Sequence, residues 1–152
     1  NGLNRPEVHI CDRDNEPPAT AHYQDVVDAL NAQEGKKAFI TNKRELENYI
    51  HYESIMSHYA EDVPGLVLTA FEGFDNVPEC VAKAIHELSE SPNAWDDLSA
   101  DKKKDKESKV KKRLNEYAVS LMDEAMYSAC DPDGEVLRWL NEIKTALETG
   151  AI

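Results

Sequence analysis

The sequence has few cysteines and no long apolar run, and both features narrow the class of protein. Its three cysteines, Cys11, Cys80 and Cys130, are odd in number and widely spaced among 152 residues. They form neither a disulfide framework nor a CxxC zinc motif, so a reducing, cytoplasmic environment is expected. No apolar run approaches the length of a membrane span and no signal peptide is recognised, so no membrane partner is expected. The five histidines lack a metal-binding spacing such as HxxxH.

Acidic residues outnumber basic residues, but the charge is unevenly distributed. With 30 Asp and Glu against 17 Lys and Arg, the net charge is −13, which argues against a nucleic-acid binder. Residues 101–113, the basic stretch, nevertheless contain eight basic and three acidic residues, which leaves −18 for the remainder. The basic stretch is either a solvated helix face or a stripe that contacts phosphates. Its candidate phosphate contacts are Lys109, Lys111, Lys112 and Arg113.

The first fifty residues alternate between strand and helix patterns. Residues 7–11 and 36–40 are typical of short buried strands. Between them, Tyr23, Val26, Val27 and Leu30 share one helical face, and Gly35 ends that helix. Asn42 followed by Glu45 has the form of a capping box, which predicts a helix from Lys43. This order predicts a βαβ unit with a parallel sheet.

The sequence pattern of the remaining residues predicts helices. They are expected over 53–60, 78–88 (capped by Asp75 or Asn76), 103–129 and 134–148, whereas 64–71 fits either a strand or a helical turn. The last helix is expected to bury an apolar set: Val136, Leu137, Leu140, Ile143 and Leu147. The fold class is therefore α/β, divided at residue 60 into an α/β part and a helical part. A parallel sheet needs more than two strands if its faces are to be covered and its edges satisfied. We therefore expect the domain to begin upstream of this sequence.

Carboxylates follow both predicted strands. Asp12, Asp14 and Glu16 stand at alternate positions after the first strand, and Glu47 follows the second. Carboxyl ends of parallel strands are where open α/β sheets place their sites, and two or three carboxylates can hold Mg²⁺ or Mn²⁺. Like charges held this close would repel without a cation. The alternative is that these residues only cap helices and solvate loops.

Two segments resemble a known family. "ICDRDNE" resembles the DxD motif of the Toprim domain, and "TNKRELENYI" resembles the segment after it in the nuclease halves of overcoming-lysogenisation-defect (OLD) family endonucleases. The tail "DPDGEVLRWLNEI" is similar to their helical ends. The resemblance implies a partial Toprim-like parallel sheet in residues 1–60 and a helical extension in 61–152 that completes the nuclease region. It also implies that Asp12, Asp14 and Glu47 bind metal, with Glu16 a further candidate.

The sequence also departs from that family. Toprim domains carry an earlier glutamate on a strand followed by a glycine turn, and no such segment precedes Asp12. The family's ATPase half is not represented, since there is no GxxxxGK[ST] motif. ATP would therefore enter only through an upstream ATPase region, which is an expected partner together with DNA. Related nucleases use a lysine near the metals, for which Lys111 and Lys112 are candidates; the alternative is that both are surface charges.

The leading hypothesis is a metal-dependent DNA endonuclease fragment of an ATPase-linked antiviral defence protein. Two metal ions would assist phosphodiester hydrolysis, with Asp12, Asp14, Glu47 and a lysine as the catalytic set. Two rivals stay open: a DxD phosphatase or phosphotransferase, and a non-catalytic acidic helical interaction module. Asn15 and Glu16 followed by two prolines argue against the haloacid-dehalogenase form of the first rival. The oligomeric state is open, and a homo-oligomer is one alternative.

Overall fold

The computed structural model describes residues 5–150 and has a mixed α/β architecture. Two strands, β1 (Glu7–Cys11) and β2 (Lys36–Ile40), form a parallel pair. The α-helices of the described range are α1 (Gln24–Asn31), α2 (Tyr52–Tyr59), α3 (Val77–Glu87), α4 (Ala100–Glu116), α5 (Glu124–Cys130) and α6 (Glu135–Thr149). Short 3₁₀ helices cover Leu46–Tyr49, Trp95–Asp97 and Ala118–Leu121. Within this range no helix combines the length and apolar character that a bilayer crossing requires.

The chain divides into two compact units whose bounds differ from the sequence-based division at residue 60. Unit 1 consists of Asn1–Leu46 and Asp131–Ile152, and unit 2 is Glu47–Cys130. The difference arises because α6, the last helix, packs on β1 near the start of the chain. Sequence patterns report which segments are amphipathic, but they do not report which distant segment each one covers.

Unit 1 contains the predicted βαβ unit, and this prediction is confirmed. β1 and β2 pair in parallel with Glu7 opposite Lys36 and Cys11 opposite Ile40. Gly35 precedes β2 with a positive φ of 76°, a conformation that glycine adopts without steric cost. The side chain of Asn31, at the end of α1, exchanges two hydrogen bonds with the backbone of Ala38, at 2.8 and 3.0 Å. That amide therefore satisfies backbone groups of β2 that β1 does not reach.

The predicted helix from Lys43 is wrong. Asn42 does not cap a helix; its backbone N–H donates to the carboxylate of Glu135 at 3.0 Å. Regular structure resumes only at the 3₁₀ helix Leu46–Tyr49. The Oδ1 atom of Asp12 accepts from the backbone N–H of Leu46 at 3.1 Å, so the cap is supplied from the loop after β1. A tertiary contact thus replaced the local capping box that the spacing indicated.

Helix α6 forms where it was predicted but buries a different face. Trp139, Ala146 and Glu135 are buried, whereas the predicted core residues Leu137, Leu140 and Leu147 are exposed. Spacings of four and seven residues place Glu135, Trp139 and Ala146 on one side of the helix. Because α6 has apolar residues on more than one side, periodicity alone could not select the buried one. Asp131 caps this helix by accepting from the backbone N–H groups of Glu135 and Val136, both at 2.8 Å.

Unit 2 holds the larger hydrophobic core. Its buried members come from α2, α3, α4, the irregular segment between α2 and α3, and positions in or beside the 3₁₀ helices: Ile50, Ile55, Tyr59, Leu66, Leu68, Val77, Val81, Ala82, Trp95, Val110, Leu114 and Ala118. The expected cap of α3 is confirmed, since Asn76 accepts from the backbone N–H of Glu79. Residues 64–71 form neither a strand nor a helix, although Leu66 and Leu68 reach the core.

The long helix predicted over 103–129 is interrupted. α4 ends at Glu116, because Tyr117 leaves the helical region with φ −128° and ψ −55°. The break lets Ala118 join the core after Val110 and Leu114, while Leu121 and Ala125, which continue the apolar spacing of the sequence, stay exposed. α5 then begins anew, with Asp123 Oδ1 accepting from the backbone N–H of Met126 at 2.8 Å. A continuous amphipathic pattern here concealed two helices with different environments.

Candidate metal-binding and phosphate-contacting residues

Asp12 and Asp14 lie in the turn that leaves the carboxyl end of β1. The Arg13 backbone N–H between them donates to Thr41 Oγ1 at 2.9 Å, and the Asp14 N–H donates to the Arg44 carbonyl at 2.8 Å. These bonds anchor the turn to the segment beyond β2, which is the other strand end of the parallel pair. The two aspartates therefore occupy the edge at which open α/β sheets place their sites.

Asp14 has an unusual backbone conformation. Its φ of 58° lies in the left-handed region, which Asp and Asn tolerate better than most other L-residues. In a strand, alternate side chains point to one side, but β1 ends at Cys11, so the alternate spacing of Asp12 and Asp14 does not by itself align their carboxylates. The turn itself now sets their directions. Among residues 5–150, the carboxylate of Asp14 has no hydrogen-bond or ion-pair partner, whereas Asp12 is held by Leu46.

The donor chemistry of this turn fits a hard divalent cation. Carboxylate oxygens are the ligands that Mg²⁺ and Mn²⁺ take, and Mg²⁺ commonly needs only one or two of them beside waters. Glu16 follows in the same loop and is exposed. Over the part of the chain that the structure describes, however, no group of three or more His, Cys, Asp or Glu side chains is arranged to hold a metal ion. The turn offers carboxylates without a completed ligand set.

Glu47 lies in unit 2, at the first turn of the 3₁₀ helix, and its side chain is only 2% exposed. Its Oε1 atom accepts from Asn115 Nδ2 at 2.6 Å, and its Oε2 atom lies 3.2 Å from Lys111 Nζ. The second distance is that of an ion pair, although Oε2 does not meet the geometry of a hydrogen bond. Lys111 and Asn115 are one helical turn apart on α4, so both reach the same carboxylate.

The structure therefore separates the two candidate lysines. Lys111 contacts buried Glu47, whereas Lys112 is 71% exposed and lies 3.9 Å from the Glu116 carboxylate in a loose i, i+4 pair. Sequence spacing had treated these neighbours as equivalent. Consecutive helical residues differ by about 100° in direction, so one faces the core of unit 2 and the other faces solvent. The sequence patterns did not single out Asn115, although its position four residues after Lys111 places both residues on the same face of a helix.

The remaining basic candidates, Lys109 and Arg113, line one cavity with Lys112. The cavity measures about 550 Å³, and its other lining residues are His58, Asp62, Glu116 and Tyr117. Arg113 donates from Nη1 to Asp62 Oδ2 at 2.8 Å, and its guanidinium lies 5.6 Å from the Tyr59 ring centroid. The hydrogen bond that Arg113 donates to Asp62 raises the pKa of Arg113 above its usual value. Arg113 is therefore a fixed cation.

Two aromatic rings, those of His58 and Tyr117, also line this cavity. His58 and Tyr117 stack with ring centroids 5.5 Å apart and an interplanar angle of 7°. Burial lowers the pKa of His58, and the neighbouring Arg113 charge lowers it further while Asp62 opposes the shift. The ring is thus neutral at pH 7. No sequence motif linked these residues, because they are far apart along the chain and the cavity exists only after folding.

No protein-family model, no curated protein and no solved structure matches the chain.

Proposed function

We propose that this chain contributes to a metal-dependent DNA endonuclease that hydrolyses phosphodiester bonds. The observation that carries the proposal is the position of Asp12 and Asp14 beyond the carboxyl end of β1 in a parallel βαβ unit. A carboxylate pair at that edge, one of its members without a partner among residues 5–150, is suited to a divalent cation. The Toprim-like sequence of this segment agrees with that chemistry. The upstream ATPase region and the further glutamate remain parts of the same proposal.

In this proposal, Asp12 and Asp14 hold the metal ion, and the hydrogen bond from the Leu46 N–H fixes one of them in direction. A divalent ion supplies activation of water and neutralisation of phosphate charge when it is bound. The basic side chains of the chain attract the anionic DNA strand to a protein that is otherwise acidic. Glu47 stays a predicted ligand and Lys111 the predicted catalytic lysine. Their mutual contact supports a shared role, since a lysine beside a buried carboxylate is held in one place.

Thermal unfolding with and without Mn²⁺ or Mg²⁺ tests metal binding directly. A ligand that binds the native state raises the melting temperature by mass action. We expect millimolar Mn²⁺ to stabilise the parent chain and to have a smaller effect on Asp14→Asn. This substitution removes the charge while Asn still tolerates the left-handed backbone. Glu34→Gln is the matched control, because Glu34 is an exposed acidic residue of the same unit that lies outside the turn.

Nicking of supercoiled plasmid by the full-length parent protein tests the chemistry. We expect metal-dependent nicking that Asp14→Asn abolishes and Glu34→Gln leaves intact. An Asp14→Asn protein that cuts at the parent rate would exclude this aspartate from the reaction. Trapping of a phosphoaspartate with a phosphate analogue would instead favour a phosphatase or phosphotransferase.

A further inference from the structure

The cavity of unit 2 lined by His58, Asp62, Lys109, Lys112, Arg113, Glu116 and Tyr117, called the aromatic–basic cavity below, combines two chemistries. Its basic side attracts anions, and its aromatic side offers a flat apolar surface. Duplex DNA presents phosphates but keeps its bases stacked inside, so only the basic side would be used. A single strand presents both phosphates and base faces. The combination is therefore matched to a nucleotide that is not base-paired.

The charges of the cavity favour an anion despite its two carboxylates. Asp62 is engaged by Arg113 at 2.8 Å, and Glu116 lies 3.9 Å from Lys112. Lys109 is exposed and has no ion-pair or hydrogen-bond partner within residues 5–150. With His58 neutral, three cations face two anions. This net positive charge stands out in a chain with a net charge of −13.

The aromatic side is accessible and firmly supported. Tyr117 is 53% exposed, and His58 stacks parallel to its ring. The backbone of Tyr117 is fixed where α4 gives way to the next 3₁₀ helix, and its N–H donates to the Arg113 carbonyl at 3.0 Å. The Nε2 atom of His58 is shielded from solvent and has no hydrogen-bond partner among the described residues.

We propose that the aromatic–basic cavity binds an unpaired nucleotide of a nucleic-acid strand, with its phosphate at Lys109 and Lys112 and its base against Tyr117. The inference rests on the proposed function, from which it takes the ligand to be a DNA strand. It further specifies that the DNA is single-stranded or unpaired. Lys111 has no part in this subsite because it contacts Glu47. The basic stretch thus divides into a cavity-lining set and a solvated remainder.

Fluorescence anisotropy with the full chain in EDTA tests binding without any cleavage. The probes are a fluorescein-labelled twelve-nucleotide oligodeoxythymidine and a duplex of the same length, each titrated across a range of salt concentrations. We expect the single strand to bind more tightly than the duplex at equal salt. Tyr117→Leu should weaken single-strand binding about tenfold, because base stacking is lost. Tyr117→Phe keeps the ring and should restore binding.

The lysines have a matched control on the same helix. Lys109→Gln with Lys112→Gln should flatten the dependence of log K on log salt by about 0.7 per lost phosphate contact for a single strand. Lys102→Gln with Lys104→Gln removes the same charge from exposed positions outside the cavity and should change the slope less. Equal slopes in the two double variants would overturn the proposal, because a general charge effect would then explain the binding. A preference for duplex would also overturn it.

Two further experiments distinguish a nucleic-acid strand from a free nucleotide or anion as the ligand, and the cavity proposal from the endonuclease proposal. Millimolar thymidine monophosphate or inorganic phosphate should displace the strand poorly, whereas efficient displacement would show a free-nucleotide or anion site instead. Glu34→Gln, outside both the Asp12–Asp14 turn and the cavity, should leave binding in EDTA unchanged. Failure of metal-dependent nicking with intact Tyr117-dependent strand binding would reject the endonuclease alone. Normal binding by Tyr117→Leu, beside nicking that depends on Asp14, would reject the cavity alone.

Discussion

Glu47 and Lys111, 64 positions apart in the sequence, meet inside unit 2 with Oε2 and Nζ separated by 3.2 Å. The pair is asymmetric, because the Glu47 side chain is 2% exposed and that of Lys111 is 43% exposed. A carboxylate taken out of water needs compensation, whereas a half-exposed ammonium keeps much of its hydration. The contact therefore matters more to the glutamate than to the lysine.

This asymmetry predicts different costs for removing the two partners. Lys111→Met retains the aliphatic stem but leaves the Glu47 charge buried, and it should lower the free energy of unfolding by about 3 kcal/mol. Glu47→Gln keeps an acceptor for Asn115 and leaves Lys111 able to reach solvent, so it should cost about 1 kcal/mol. Urea unfolding of both variants at pH 7 measures the difference.

Lys112→Met is the control for this pair. Its side chain is mostly exposed and its contact with Glu116 is long, so the free energy of unfolding should change by less than about 0.5 kcal/mol. If Glu47→Gln proved more destabilising than Lys111→Met, burial of an uncompensated carboxylate would not be what makes the pair asymmetric.

The left-handed backbone at Asp14 makes a second prediction. A β-branched side chain is strained at a φ of 58°, so Asp14→Val should destabilise the chain by about 1–3 kcal/mol, whereas Asp14→Asn should be nearly neutral. Asp14→Gly separates backbone strain from loss of the carboxylate, because glycine relieves the strain and also lacks the charge. Thermal unfolding without metal gives the comparison. Equal stability of the Val and Asn variants would mean that the turn adopts another conformation in solution.

Local patterns predicted most of the elements, and tertiary contacts decided the rest. Both strands and their parallel pairing were predicted from short apolar runs separated by a helix. The cap of α3 was predicted from the asparagine that precedes it, Asn76. The helix expected from Lys43 failed because Glu135, 93 positions away, takes the backbone N–H of Asn42. No local pattern contains that competition. Units built from distant segments therefore limit what spacing alone can predict.

The candidate residues show the same limit. The position of Asp12 and Asp14 at a strand end was predictable, because a DxD motif after an apolar run has a local signature. The contact of Glu47 with Lys111 rather than Lys112 was not, since it depends on which face of α4 packs inward. The aromatic–basic cavity needs His58 from one helix beside Tyr117 at the end of another.

Truncation of a buried residue of α6 should cost more free energy of unfolding than truncation of an exposed one. Trp139 is buried in unit 1 whereas Leu147 is 81% exposed, the reverse of the order that the leucine-rich pattern indicated. Trp139→Ala should cost about 3–5 kcal/mol through lost burial and the cavity left behind. Leu147→Ala should change the free energy of unfolding by less than about 0.5 kcal/mol. Chemical denaturation of both variants measures this, and a larger loss from Leu147→Ala would mean that this side of the helix is covered in solution.

The last prediction concerns pH and His58. Burial and the Arg113 charge lower the pKa of His58 in the folded chain, whereas the unfolded chain keeps an ordinary value near 6.5. Between the lowered folded pKa and about 6.5, the unfolded state binds more protons, so the stability contributed by neutral His58 is complete above about pH 6.5 and declines as the pH falls. His58→Phe keeps an aromatic ring beside Tyr117 but cannot titrate. Urea midpoints of the parent chain should therefore fall more steeply than those of His58→Phe from pH 7 to pH 5. Because the other histidines and the carboxylates are common to both proteins, the difference between the two curves isolates His58. Parallel curves would show that the imidazole titrates as freely in the folded chain as in the unfolded one.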